Sequence, residues 1–169
     1  MDTNKKPLKL ILNRNIDKKY ALRYFFKIGS PMAGATVMFR RKVFDGGLRY
    51  DCNLKIGEDN HLLCKVTNVW DSVHVPEVLY LYRKHNTNSS KKIDYSNNDT
   101  SHLRMLLNEY SLPELVPELE WTAEEKYFDN LCRAHSIISL YLYRRLARNE
   151  AVEQLEIVAD LINHKNTKQ

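Results

Sequence analysis

Residues 70–85 read WDSVHVPEVLYLYRKH, and the way this stretch folds decides the class of the protein. Trp70–Val75 and Val78–Tyr82 are short runs rich in Val, Leu and Tyr on either side of Pro76, and each reads as a strand. Upstream, Ala35–Phe39 (ATVMF) reads as a buried strand followed by the basic turn Arg40-Arg41-Lys42, and Gly46-Gly47 makes a tight turn. Helical patterns frame these runs. Asp17 can cap a helix to about Ile28, with Ala21, Leu22, Phe25 and Ile28 on one side and Gly29 and Pro31 as its stop. Asp59–Val66 places Leu62, Leu63 and Val66 at helical spacing. Strands mixed with helices in this order predict an α/β arrangement.

Beyond this region the pattern changes. Asn86–Asp99 (NTNSSKKIDYSNND) is polar and rich in Asn and Ser, which marks a linker and divides the chain into residues 1–93 and a helical region, 94–169. Leu103, Leu106, Leu107 and Tyr110 follow helical spacing, in a helix that should end before Pro113. Thr122 and Glu125 form a capping-box pattern ahead of Tyr127, Leu131, Ala134, Ile138 and Leu142. A last helix carries Val152, Leu155, Val158, Ala159 and Ile162 on one side, and these stripes predict core or helix–helix packing.

The 169 residues carry 26 Lys+Arg against 21 Asp+Glu, a formal charge of +5, with 43% apolar and 28% charged residues. Such composition excludes wholesale disorder and suits a domain able to bury a core. Cys52, Cys64 and Cys132 contain no CxxC pair, so the reading is a reducing compartment without a disulfide framework. The densest apolar stretch, Ser136–Tyr143, falls far short of the roughly 20 residues that cross a bilayer. The expectation is a cytoplasmic protein with no transmembrane segment, for which peripheral contact at the inner membrane face stays open. Five net positive charges without a recognised binding module argue against nucleic acid as a partner.

Chemistry concentrates in residues 29–90. In order come Pro31, ATVMFRR (35–41), Gly47 with Tyr50-Asp51, GED (57–59) with Leu62 and Leu63, PEVLYLYRKH (76–85), and Ser89-Ser90. This succession resembles the acceptor-binding half of family 2 glycosyltransferases, inverting nucleotide-sugar-dependent enzymes of the GT-A fold. His61 stands where that family often has an acidic residue, and Gly34-Ala35 where it often has His-Pro. The resemblance implies a partial GT-A-like mixed sheet without its nucleotide-binding half, followed by the C-terminal helices.

The resemblance also implies a reaction: a sugar passes from a nucleoside-diphosphate sugar to a hydroxyl acceptor in glycan or surface-polysaccharide synthesis. Asp59 corresponds to the general base and Glu58 to its neighbour. Arg83 and His85 correspond to groups near the donor diphosphate, and Arg40 and Arg41 suit phosphate or acceptor contacts. On the bare residues, Glu58-Asp59 could equally be a helix N-terminus, Arg83 and His85 a solvated edge, and Arg40-Arg41 a charged turn. The family's divalent metal, Mg²⁺ or Mn²⁺, is held by an Asp-x-Asp motif, and no Asp-x-Asp or Glu-x-Asp occurs in this sequence. The expectation is therefore a C-terminal portion, inactive alone, whose donor half comes from elsewhere, such as a partner chain. The competing expectation is a non-catalytic interaction protein that docks a partner through its helices or a sheet edge. The loops and motifs of P-loop enzymes, zinc proteases and serine hydrolases are absent.

Overall fold

A computed structural model describes residues 17–83, 85–87 and 100–167. Asp17 Oδ1 accepts the Lys19 N–H at 2.9 Å and opens a 3-10 turn, Lys18–Tyr20, that runs into α1, Ala21–Lys27. The helix buries Ala21, Leu22, Phe25 and Phe26 and ends at Gly29, whose φ of +92° suits a residue without a Cβ. A Cβ at Gly29 would also lie 2.8 Å from the Arg145 guanidinium, which donates to the Phe25 carbonyl at 2.9 Å. A cation thus satisfies the C-terminal end of α1, where the helix dipole is negative.

Further helices are α2 (Arg41–Asp45), α3 (Glu58–Val69), α4 (Ser101–Glu109), α5 (Leu112–Leu115), α6 (Tyr127–Arg144) and α7 (Arg148–Asn166). Their core joins residues from both sides of the polar 86–99 stretch. Phe25, Phe26 and Leu63 pack with Leu103, Leu106, Leu115, Ile138 and Leu142. Full burial of side chains this size stabilises the fold by about 1.5–3 kcal/mol each. A smaller cluster, Val43, Leu62 and Val66, lies between α2 and α3.

The expected mixed sheet is absent: the described residues are helical, with no strand among them. Gly34–Thr36 forms a 3-10 turn in which the Thr36 hydroxyl donates to the Ala33 carbonyl at 2.7 Å, and Met38 is 96% exposed. Trp70 ends α3 in an extended conformation. Asp71–Arg83 then runs without helix or strand, bending at Glu77. The physical reason is pairing. β-branched and aromatic runs become strands when another strand takes their N–H and C=O groups, and no described segment does so.

Two helical expectations also shift. Thr122 lies in a turn instead of capping a helix; a 3-10 turn, Glu124–Lys126, leads into α6. On α7 the predicted apolar stripe faces outward, with Val152, Leu155 and Ile162 about half exposed. Only the first turn of α7 is buried, at Glu150 and Ala151.

Glu150 ties α7 to α4. Its Oε1 accepts from the Thr100 hydroxyl at 2.7 Å and from Arg104 at 3.3 Å. Burial alone would raise the Glu150 pKa, but these donors outweigh it and hold the carboxyl below its ordinary value. The stabilisation is therefore complete above the ordinary Glu value of about 4.3 and is lost as pH falls through the lower folded value. Urea titrations from pH 6 to 3 are expected to show an acid limb that is shallower in Glu150→Gln.

Candidate functional site

Gly57, at φ +80°, turns the chain into α3, so that Glu58 and Asp59 occupy its first turn. Negative charge is favoured there by the helix dipole. Both side chains are half-buried. Asp59 Oδ1 accepts the Asn60 N–H at 2.7 Å, which fixes the carboxylate at the helix end. Its other oxygen lies against the 34–36 turn; a Cβ on Gly34 would come within 2.9 Å of Oδ2. Gly34, having no Cβ, thus makes room for the carboxylate.

The remaining predicted residues lie elsewhere. Arg40 and Arg41 are exposed at the start of α2, and Arg41 pairs with Asp45 one turn on at 3.6 Å. Arg83 and His85 are exposed on the segment beyond Pro76, and His85 Nδ1 is 2.7 Å from the Thr87 hydroxyl. The fold brings Asp59 to Gly34, with no hydrogen bond or ion pair joining it to Arg83 or His85 among the described residues.

A cluster that sequence reasoning missed lies one turn along α3. His61 is 1% exposed, and its Nε2 is 3.2 Å from the Glu109 carboxylate on α4. Lys65 Nζ reaches the same carboxylate at 3.3 Å. With Nε2 paired, the buried Nδ1 has no hydrogen-bond partner among the described residues. His61 and Lys65 border a cleft of about 330 Å³ whose remaining lining is Gly47–Cys52. His61 and Glu109 are 48 positions apart, and neither lies in a motif that names the other. A second cleft, about 400 Å³, lies between α4 and α7 beside Arg104, His135 and Gln154. Gly47, Tyr50 and Asp51 of the resembling stretch line the first cleft, whereas Glu58, Asp59, Arg40, Arg41, Arg83 and His85 line neither.

No family model, curated protein or solved structure matches the chain. The case for a function therefore rests on residues and geometry. For the Mg²⁺ or Mn²⁺ implied by the resemblance, the fit is poor. No group of three or more His, Cys, Asp or Glu side chains is placed to hold a metal among the described residues. No described helix is long and apolar enough to cross a membrane.

The thiols differ sharply. Cys64 is buried in α3, and burial, with the Glu109 carboxylate nearby, pushes its pKa far up. Cys52 is exposed on the loop that lines the His61 cleft. In native protein, a maleimide is expected to label Cys52 rapidly and Cys64 only after denaturant is added. Mass spectrometry of the labelled peptides checks this.

Proposed function

We propose that this chain supplies the acceptor side of an inverting, family 2-like sugar transferase. Asp59 acts as the general base, with Glu58 as its neighbour. The observation that carries the reading is the position of Asp59: at the first turn of α3, fixed by the Asn60 N–H and set against the Gly34 turn. A base on a rigid support within reach of an acceptor hydroxyl is what this chemistry requires.

Asp59 takes the hydroxyl proton while the oxygen forms a bond to the anomeric carbon. The bond from that carbon to the nucleoside diphosphate breaks on the opposite face, so the configuration inverts. Arg83 and His85 offset charge on the departing diphosphate. They do so when the donor-binding half is joined and brings the diphosphate to them. That half, with the metal ligands of the family, lies outside the described residues.

The test is sugar transfer. The purified chain, given nucleoside-diphosphate sugars and a hydroxyl acceptor, is expected to show none. Combined with a donor-binding domain, it is expected to transfer sugar with inversion. Transfer by the chain alone would overturn the division of the site, and a combined enzyme that retains configuration would overturn the role of Asp59.

A further inference from the structure

The segment from Val73 to Tyr82 is the most apolar exposed stretch that is neither helix nor strand. Val73 is 86% exposed, Leu79 79% and Leu81 63%, and Val75, Val78, Tyr80 and Tyr82 are each about half exposed. The chain runs without turn or bend from Val78 to Arg83, and if paired as a strand its successive side chains would project to opposite sides. Val78 and Tyr80 then lie on one side, Leu79 and Leu81 on the other, and both sides are apolar. Backbone groups of Val78–Leu81 make no hydrogen bond among the described residues.

We propose that Val78–Leu81 is a docking strand that adds itself to the open sheet edge of a partner chain, an α/β domain with helices on both sheet faces. The pattern selects this occupant. A strand apolar on one side suits a sheet with one solvated face, whereas one apolar on both sides needs a covering layer above and below. A second copy of this chain would supply one edge and no layers, leaving a two-stranded ribbon with both faces wet. The apolar side chains of Val78–Leu81 expose roughly half of one partner's share of a standard stable interface, about 800 Å², and Val73 and Val75 add to it from the flank. Main-chain pairing gives affinity in such an addition, and the alternate side chains select the partner. This rests on the transferase reading only for what the partner carries, not for how it docks.

The test uses the full chain. Alone, it is expected to be a monomer by light scattering, with the amides of Val78–Leu81 exchanging at the unprotected rate. Protection of those amides in the monomer, or a dimer abolished by Leu79→Lys, overturns the proposal. Next, the photocrosslinker p-benzoylphenylalanine replaces Leu79 or Leu81 in cells, with Glu156 as the control position. One crosslinked protein is expected, joined at an edge strand of an α/β domain. In the purified pair, Leu79→Lys with Leu81→Lys is expected to weaken binding at least tenfold at unchanged helical circular dichroism. Crosslinks to a helix surface, crosslinks equal to those at position 156, or unchanged affinity overturn it. A pair that assembles through Val78–Leu81 yet transfers no sugar sinks the transferase reading alone. A pair that transfers sugar with these amides still unprotected sinks the docking alone.

Discussion

Gly57→Ala is expected to destabilise the fold by about 4 kcal/mol, which lowers the melting temperature by roughly 10 °C for a chain of this size. Two independent causes add. Gly57 has φ +80°, a left-handed conformation in which a residue with a Cβ is strained by about 1–3 kcal/mol. It is also buried, and an added Cβ would lie 2.5 Å from Nδ1 of the His102 ring. That ring is 8% exposed on α4, so it has little room to retreat. Overpacking of this kind costs about 1–3 kcal/mol more. Gly47→Ala separates the two causes. Gly47 has φ +89°, yet nothing lies within 4 Å of where its Cβ would stand. Its variant should lose only the strain, about 1–2 kcal/mol. Equal losses in the two variants, measured by urea denaturation, would show that the α3–α4 contact at His102 yields easily.

The sequence spoke clearly where an element is decided by its own residues. Ala21, Leu22 and Phe25 mark the buried side of α1, although Ile28, expected beside them, is 60% exposed past the helix end, and Leu103 and Leu106 mark that of α4, because helical hydrogen bonds close within the segment and the stripe only has to find a core. The strands failed for the complementary reason. ATVMF and VLYLY have the right composition, but a strand is completed by a neighbour, and composition does not say whether the neighbour is present. The stripe on α7 carries the same lesson: Val152, Leu155 and Ile162 state a preference for cover without naming its source. At the candidate site, Glu58-Asp59 was readable because a turn glycine, an acidic pair and a helix are contiguous. The packing of Asp59 on Gly34 and the His61–Glu109 pair are products of tertiary structure, joining positions that no local pattern links.

On the proposed role of Asp59 as general base, Asp59→Asn in the chain combined with a donor-binding domain is expected to lower kcat for sugar transfer by about 10²–10⁴-fold, the usual weight of such a base, while leaving the fold intact. The separation follows from what Asp59 does in the structure. Asparagine keeps an oxygen that can accept the Asn60 N–H, and it has the same size against Gly34. What it loses is negative charge at the first turn of α3, worth about 0.3–1 kcal/mol against the helix dipole. Melting should therefore shift by no more than a few degrees. The amide has no basic oxygen able to take the acceptor proton, so the loss should fall equally on kcat and kcat/KM. Two outcomes would sink the role. Near-full activity would make Asp59 a helix-end residue and nothing more. A rise in KM at constant kcat would make it an acceptor-binding group whose interaction is the same before and during the reaction.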